Sequence, residues 1–204
     1  MLLDVDDSQL VLVDYQARLM PAIHENTLVL ANALRLARLA RLMEVPVWGT
    51  EENPEKLGEN PPELRALCRK TLAKMQFSAV ADGLTGLLRP PERQQQGGNA
   101  RSLPRHLQKA QRQQPVEDGR NTLVVAGCEA HVCLLQTSLD LLDEEFDVWV
   151  VTDACSSQSE RNRDAAFDRL ASAGAELVTT EMVAFEWLRT ADHPLFREAL
   201  VLIK

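Results

Sequence analysis

No stretch of the 204 residues approaches the ~18 consecutive apolar residues of a membrane-spanning helix, and the opening Met1-Leu-Leu-Asp-Val-Asp-Asp7 lacks the basic start of a secretory signal. A cytoplasmic location away from the membrane is expected. Basic side chains are in deficit: 22 Lys and Arg against 30 Asp and Glu leave a formal net charge of −8. That balance speaks against nucleic acid or an anionic membrane surface as a partner. Cysteine is sparse. The four thiols, Cys68, Cys128, Cys133 and Cys155, include no C-x-x-C pair, which excludes a disulfide framework and predicts free thiols in a reducing compartment. The four histidines, His24, His106, His131 and His193, fall far apart without ligand spacing, so no catalytic metal and no cofactor are expected. Repeats of solenoid period are absent too.

What is present supports one sizeable core. Hydrophobic residues make up 45% of the chain, enough for a single domain over 1–204. Gln9-Leu-Val-Leu-Val-Asp14 reads as a central strand buried on both faces and closed by a carboxylate. A helix follows from about Asn26 to Met43, then a strand Val45-Pro-Val-Trp-Gly49, a loop from Thr50 to Pro62 and a short helix over Glu63 to Cys68. A third strand is placed near Lys70-Thr-Leu-Ala-Lys74, ending at Phe77-Ser-Ala79. Residues 91–118, rich in Gln with scattered Arg and Lys, break the pattern and read as a flexible surface insertion. Thereafter strands at 121–126, 147–152 and 176–179 alternate with helices near 130–143 and 159–173. Such alternation predicts an α/β fold: a doubly wound, Rossmann-like three-layer α/β/α arrangement with a mainly parallel sheet of about six strands in the order 3-2-1-4-5-6.

In open sheets of this kind, ligands bind beyond the carboxyl ends of the strands where the strand order reverses. Asp14 ends the first strand, Cys133 opens the helix after the fourth, and Lys74 lies near the end of the third. A thiol near a helix N-terminus and a basic group is expected to have a lowered pKa. Position alone still favours a cysteine that simply packs between helix and sheet, since free cysteine is among the most buried residue types.

The residues also resemble a family. Asp14-Tyr-Gln16, Lys74-Met-Gln-Phe-Ser-Ala79 and Gly127-Cys-Glu-Ala-His-Val-Cys133-Leu-Leu-Gln-Thr137 are similar, in order and spacing, to the motifs of the isochorismatase-like cysteine hydrolases, which include the nicotinamidases. Val151-Thr-Asp-Ala-Cys-Ser-Ser157 and Thr179-Thr-Glu-Met182 resemble later signatures of that family, so the likeness spans nearly the whole chain outside 91–118. Thr50-Glu-Glu-Asn-Pro-Glu-Lys-Leu-Gly58 and Asp192-His-Pro-Leu-Phe-Arg197 look closest to its isochorismatase domain-containing branch.

The resemblance implies a catalytic triad of Asp14, Lys74 and Cys133, with a cis peptide between Cys128 and Glu129 that turns the Glu129 N–H beside that of Cys133 to form an oxyanion hole. Nicotinamidases hold a metal near the second strand through an aspartate and histidines. Here the corresponding Thr50-Glu51-Glu52-Asn53 has no histidine. The implied activity is hydrolysis of a small-molecule carboxamide, a C–N bond, through a thioester on Cys133. Gln16, Glu51 and Phe77 are candidates for contact with that substrate. Two alternatives stand beside the amidase: a thiol redox sensor in which Cys128 resolves an oxidised Cys133, and a catalytically silent binding or scaffold member of the fold. The apolar surface of the Asn26–Met43 and Phe196–Ile203 helices predicts a homo-oligomer.

Overall fold

Six strands run β1 Ser8–Val13, β2 Val47–Glu52, β3 Lys70–Lys74, β4 Thr122–Gly127, β5 Asp147–Val151 and β6 Glu176–Val178. They form one sheet ordered β3-β2-β1-β4-β5-β6, with every pairing parallel. The computed structural model describes residues 1–89 and 119–204; the insertion expected at 91–118 lies outside the described residues. β1 and β4 are buried at every position, as continuous apolar strands between two helical layers must be.

Among the described residues the helices are α1 Asn26–Leu42, α2 Pro54–Leu57, α3 Pro62–Arg65, α4 Leu84–Leu88, α5 Leu135–Asp143, α6 Glu160–Ala173, α7 Thr180–Leu188 and α8 Phe196–Ile203. α1 packs with α7 and α8, whereas α5 packs with α6. Local chemistry sets their ends. Ser159 and Thr179 accept hydrogen bonds from the N–H groups of Asn162 and Met182 and so cap α6 and α7, and Gly174, at φ +105°, ends α6. No helix among the described residues is long and apolar enough to cross a membrane.

The register brings the carboxyl ends of four strands together. Val13 lies opposite both Thr50 and Gly127, and Glu52 lies opposite Lys74. Two boundaries differ from the sequence reading in a way that matters. β2 continues through Glu52 rather than stopping at Gly49, because it pairs with β3 along its whole length. β3 in turn stops at Lys74: the Asn53 N–H donates to the Lys74 carbonyl at 2.8 Å, and the Met75 and Gln76 N–H groups turn to the Asp82 carboxylate at 2.7 and 2.9 Å.

Gly127 serves close approach rather than a turn conformation. A Cβ there would lie 2.4 Å from the Val13 carbonyl oxygen and 2.5 Å from the Val13 Cβ. Only a residue without a side chain lets β4 run that near β1.

Candidate active site

Asp14 leaves β1 in the left-handed region at φ +53°, a conformation that Asp adopts more readily than most side chains. Its N–H still donates to the Thr50 carbonyl at 3.2 Å, and its Oδ1 accepts from the Thr50 hydroxyl at 2.7 Å. The turn therefore directs the carboxylate into the crevice. Lys74 Nζ stands 2.8 Å from Asp14 Oδ2 and 2.8 Å from Glu52 Oε2. It also donates to the carbonyls of Gln76 and Phe77 at 3.2 and 3.1 Å.

Four oxygens thus surround an ammonium that has three hydrogens. Those hydrogens are aimed at Glu52, Gln76 and Phe77, and Asp14 Oδ2, although in contact with the charge, receives no well-directed hydrogen bond. A buried carboxylate oxygen is left free to accept. Burial pulls the Lys74 pKa down, but the Asp14 charge and the close contacts with the Asp14 and Glu52 carboxylates outweigh it and hold the ammonium above the ordinary lysine value.

Cys133 lies in a wide π-helical turn, Ala130–Leu134, that leads into α5. Its sulfur and the carboxylate oxygens of Asp14 and Glu52 are all within 4.8 Å of one another. The expected acidic thiol is not what this surrounding produces. Burial, then the Asp14 charge, push the Cys133 thiol up; Lys74 opposes them but is itself shared between two carboxylates, and Glu52 adds to the rise. The local argument from a helix N-terminus is overridden by tertiary surroundings, and the resting sulfur is a neutral thiol beside a carboxylate acceptor.

The other thiols follow the same direction. Burial pushes Cys128 up to about 12 and Cys68 up to about 11, and raises Cys155 as well. Each therefore keeps its proton in the folded chain at a pH where the unfolded chain, near the ordinary 9.0, has lost it. Below that value both states carry the proton and stability is unaffected; above it the unfolded state binds fewer protons, so stability falls as pH rises. Each thiol contributes about 1.4 kcal/mol per pH unit in that window. Urea denaturation between pH 8 and pH 10.5 is expected to show a loss several times steeper than one thiol alone would give.

Several sequence candidates take other places. Gln16 is fully buried, and its amide donates to the carbonyls of Glu52 and Gly58 and accepts from the Glu52 N–H. It holds the end of β2 rather than facing the crevice. Glu51 points to the opposite side of β2, where it accepts from the Asn60 N–H at 2.8 Å and faces Arg65 at 3.4 Å. Glu52, one position on, is the carboxylate that faces Lys74.

Phe77 leaves its side chain 52% exposed at the rim while its carbonyl holds Lys74. Cys128 is buried with its thiol at the Ser156 backbone, without the exposure or the lowered pKa that a resolving thiol needs. The Cys128–Glu129 peptide is cis. Glu129 accepts from the Gln158 amide at 2.8 Å, with His131 Nδ1 at 3.4 Å. Asp153 caps α7 by accepting from the N–H and hydroxyl of Thr180.

Asp14, Glu52 and Cys133 are close enough together to ligate one metal ion. Lys74 already supplies the positive charge between the two carboxylates, so a cation bound by this set would have to face the ammonium or displace it.

A model of the isochorismatase domain matches residues 8–182. The rat protein named isochorismatase domain-containing protein 2 is 34% identical over 199 residues, which cover 98% of this chain and 82% of that relative. Among solved structures, YcaC of Escherichia coli, described as an octameric hydrolase of unknown specificity, is 28% identical with a TM-score of 0.79, covering 100% of this chain and 89% of its own. YcaC of Pseudomonas aeruginosa, solved with hexane-2,5-diol and covalent acrylamide, is 26% identical with a TM-score of 0.78, covering 98% of this chain and 91% of its own. With the six-stranded parallel sheet in the order foreseen, the chain belongs to the isochorismatase domain family.

Proposed function

We propose that this protein is a cysteine-dependent hydrolase that cleaves a C–N bond in small carboxamides. One observation carries the reading: residues 14, 74 and 133, remote in sequence, converge at the carboxyl ends of β1, β3 and β4 with the thiol beside a carboxylate that has an acceptor oxygen to spare. That arrangement suits a thiol activated only as it attacks. Asp14 takes the Sγ proton while sulfur adds to the carbonyl carbon, so no standing thiolate is required.

Lys74, 2.8 Å away, holds the Asp14 carboxylate in place. The family resemblance implies that the Glu129 and Cys133 N–H groups hold the oxyanion; the neighbouring Ala130 N–H is engaged by the Ser156 carbonyl at 2.8 Å and that of His131 by the Ser157 hydroxyl at 3.3 Å. Collapse of the tetrahedral adduct expels the amine, which receives the proton from Asp14. Asp14 then deprotonates a water that attacks the thioester, releasing the acid and restoring the thiol. The Pseudomonas aeruginosa neighbour was solved with covalent acrylamide, so a relative of this fold carries a group that reacts with an electrophile bearing a primary carboxamide. Ammonia release from a carboxamide panel, wild type against Cys133→Ala, tests the reading; turnover that survives the substitution, or no turnover and no acyl adduct on any amide, defeats it.

Self-association belongs to the same proposal. The octameric state of the Escherichia coli neighbour and the exposed Leu28 of α1 and Val201 of α8 favour a homo-oligomer. Light scattering at micromolar concentration is expected to give a multiple of the 22.8 kDa chain mass; a monomer rules it out.

A further inference from the structure

We propose that Glu52 is a substrate-binding residue: it makes the crevice select small carboxamides whose remaining part is neutral or cationic and carries an N–H donor, and reject those that end in a carboxylate. The inference rests on the amide-hydrolase reading and adds the class of substrate to it. Of the site's charged side chains, those of Asp14 and Lys74 are 0% exposed, whereas that of Glu52 is 12% exposed. Glu52 is therefore the least buried of the three charged side chains.

It gives Oε2 to Lys74, and Oε1 accepts no hydrogen bond among the described residues. A carboxylate with a spare oxygen in a buried site is a ready acceptor. Its distance is right as well. With Sγ and Glu52 within 4.8 Å, a carbonyl carbon seated against sulfur places a group two or three bonds away in reach of Glu52.

Charge points the same way. Asp14, Lys74 and Glu52 are the charges that act on the thiol, and one ammonium against two carboxylates leaves the crevice with one net negative charge. The negative charge of Asp14 is needed for its work as a base, and Lys74 is committed to both carboxylates. An anionic substrate group would therefore meet repulsion from Glu52, whereas an amide, ammonium or ureido N–H would meet its free oxygen. Replacing a charge at this range by a neutral isostere changes the relative binding of neutral and anionic ligands by about tenfold.

Iodoacetamide and iodoacetate test this without a known substrate, because they differ only in an amide against a carboxylate. In both, the Cys133 sulfur displaces iodide: the S–C bond forms, the C–I bond breaks, iodide leaves and the thiol proton passes to Asp14. Rates at Cys133 are followed by peptide mapping at one pH and salt concentration, and each amide-to-acid rate ratio is divided by that of free cysteine. Wild type is expected to prefer the amide by about tenfold beyond free cysteine. Glu52→Gln should bring that preference down to the free-cysteine value, and Glu52→Asp should retain most of it. A wild-type ratio equal to that of free cysteine, or a preference unchanged in Glu52→Gln, overturns the assignment while leaving the nucleophile in place. Failure of both reagents to label Cys133 removes the nucleophile itself, and the assignment with it.

Discussion

Cys133→Ala is expected to abolish carboxamide turnover, a loss of about a thousandfold or more, while leaving the fold in place. No neighbouring group can assume the role: Cys128 and Cys155 are packed away from the crevice, with their thiols at the Ser156 and Gly127 backbones. The truncation removes one sulfur atom from a residue that is 6% exposed, so the stability change is on the order of 1 kcal/mol. Activity and stability thus separate, and ammonia release measured beside urea denaturation shows whether they do. Cys133→Ser discriminates further. A hydroxyl beside Asp14 retains the hydrogen-bonding partner, but it is a far poorer nucleophile, so its turnover should stay close to that of the alanine variant.

The fold was legible because its signals are local. Six continuous residues buried on both faces of the sheet announce β1, and the alternation of strands with helices leaves few ways to close a parallel sheet. The meeting of Asp14, Lys74 and Cys133 was legible from the motif resemblance together with the strand order. Glu52 was not. With β2 assumed to end at Gly49, Thr50 to Glu52 fell in a loop, where alternation has no meaning; once the strand runs to Glu52, Thr50 and Glu52 share a face and Glu51 takes the other. Thr50 orients Asp14, Glu52 shares Lys74, and both were hidden by three residues of strand length.

The thiol shows the opposite limitation. A helix start and a nearby lysine are visible in sequence, and both favour a thiolate. Burial and the division of Lys74 between two carboxylates are tertiary facts, and they decide the direction. Gln16 likewise sits in a motif beside Asp14, yet its amide is spent on the backbone of Glu52 and Gly58. Motif membership identified the neighbourhood without separating residues that do chemistry from those that shape the crevice.

Lys74→Met should be the most destabilising single change in the site, costing about 3–5 kcal/mol at neutral pH, because it strands buried carboxylates without their cation. Asp14 and Glu52 each lie 2.8 Å from Nζ, and the carbonyls of Gln76 and Phe77 also lose a donor. The origin of that cost can be read from a rescue. Combining Lys74→Met with Asp14→Asn and Glu52→Gln removes the stranded charges and should recover a large part of the stability at pH 7, with no recovery of turnover. Urea denaturation of the single and triple variants at pH 7 distinguishes this from lost packing: a deficit that is not relieved in the triple variant would place the cost in the lysine's apolar stem rather than in its charge.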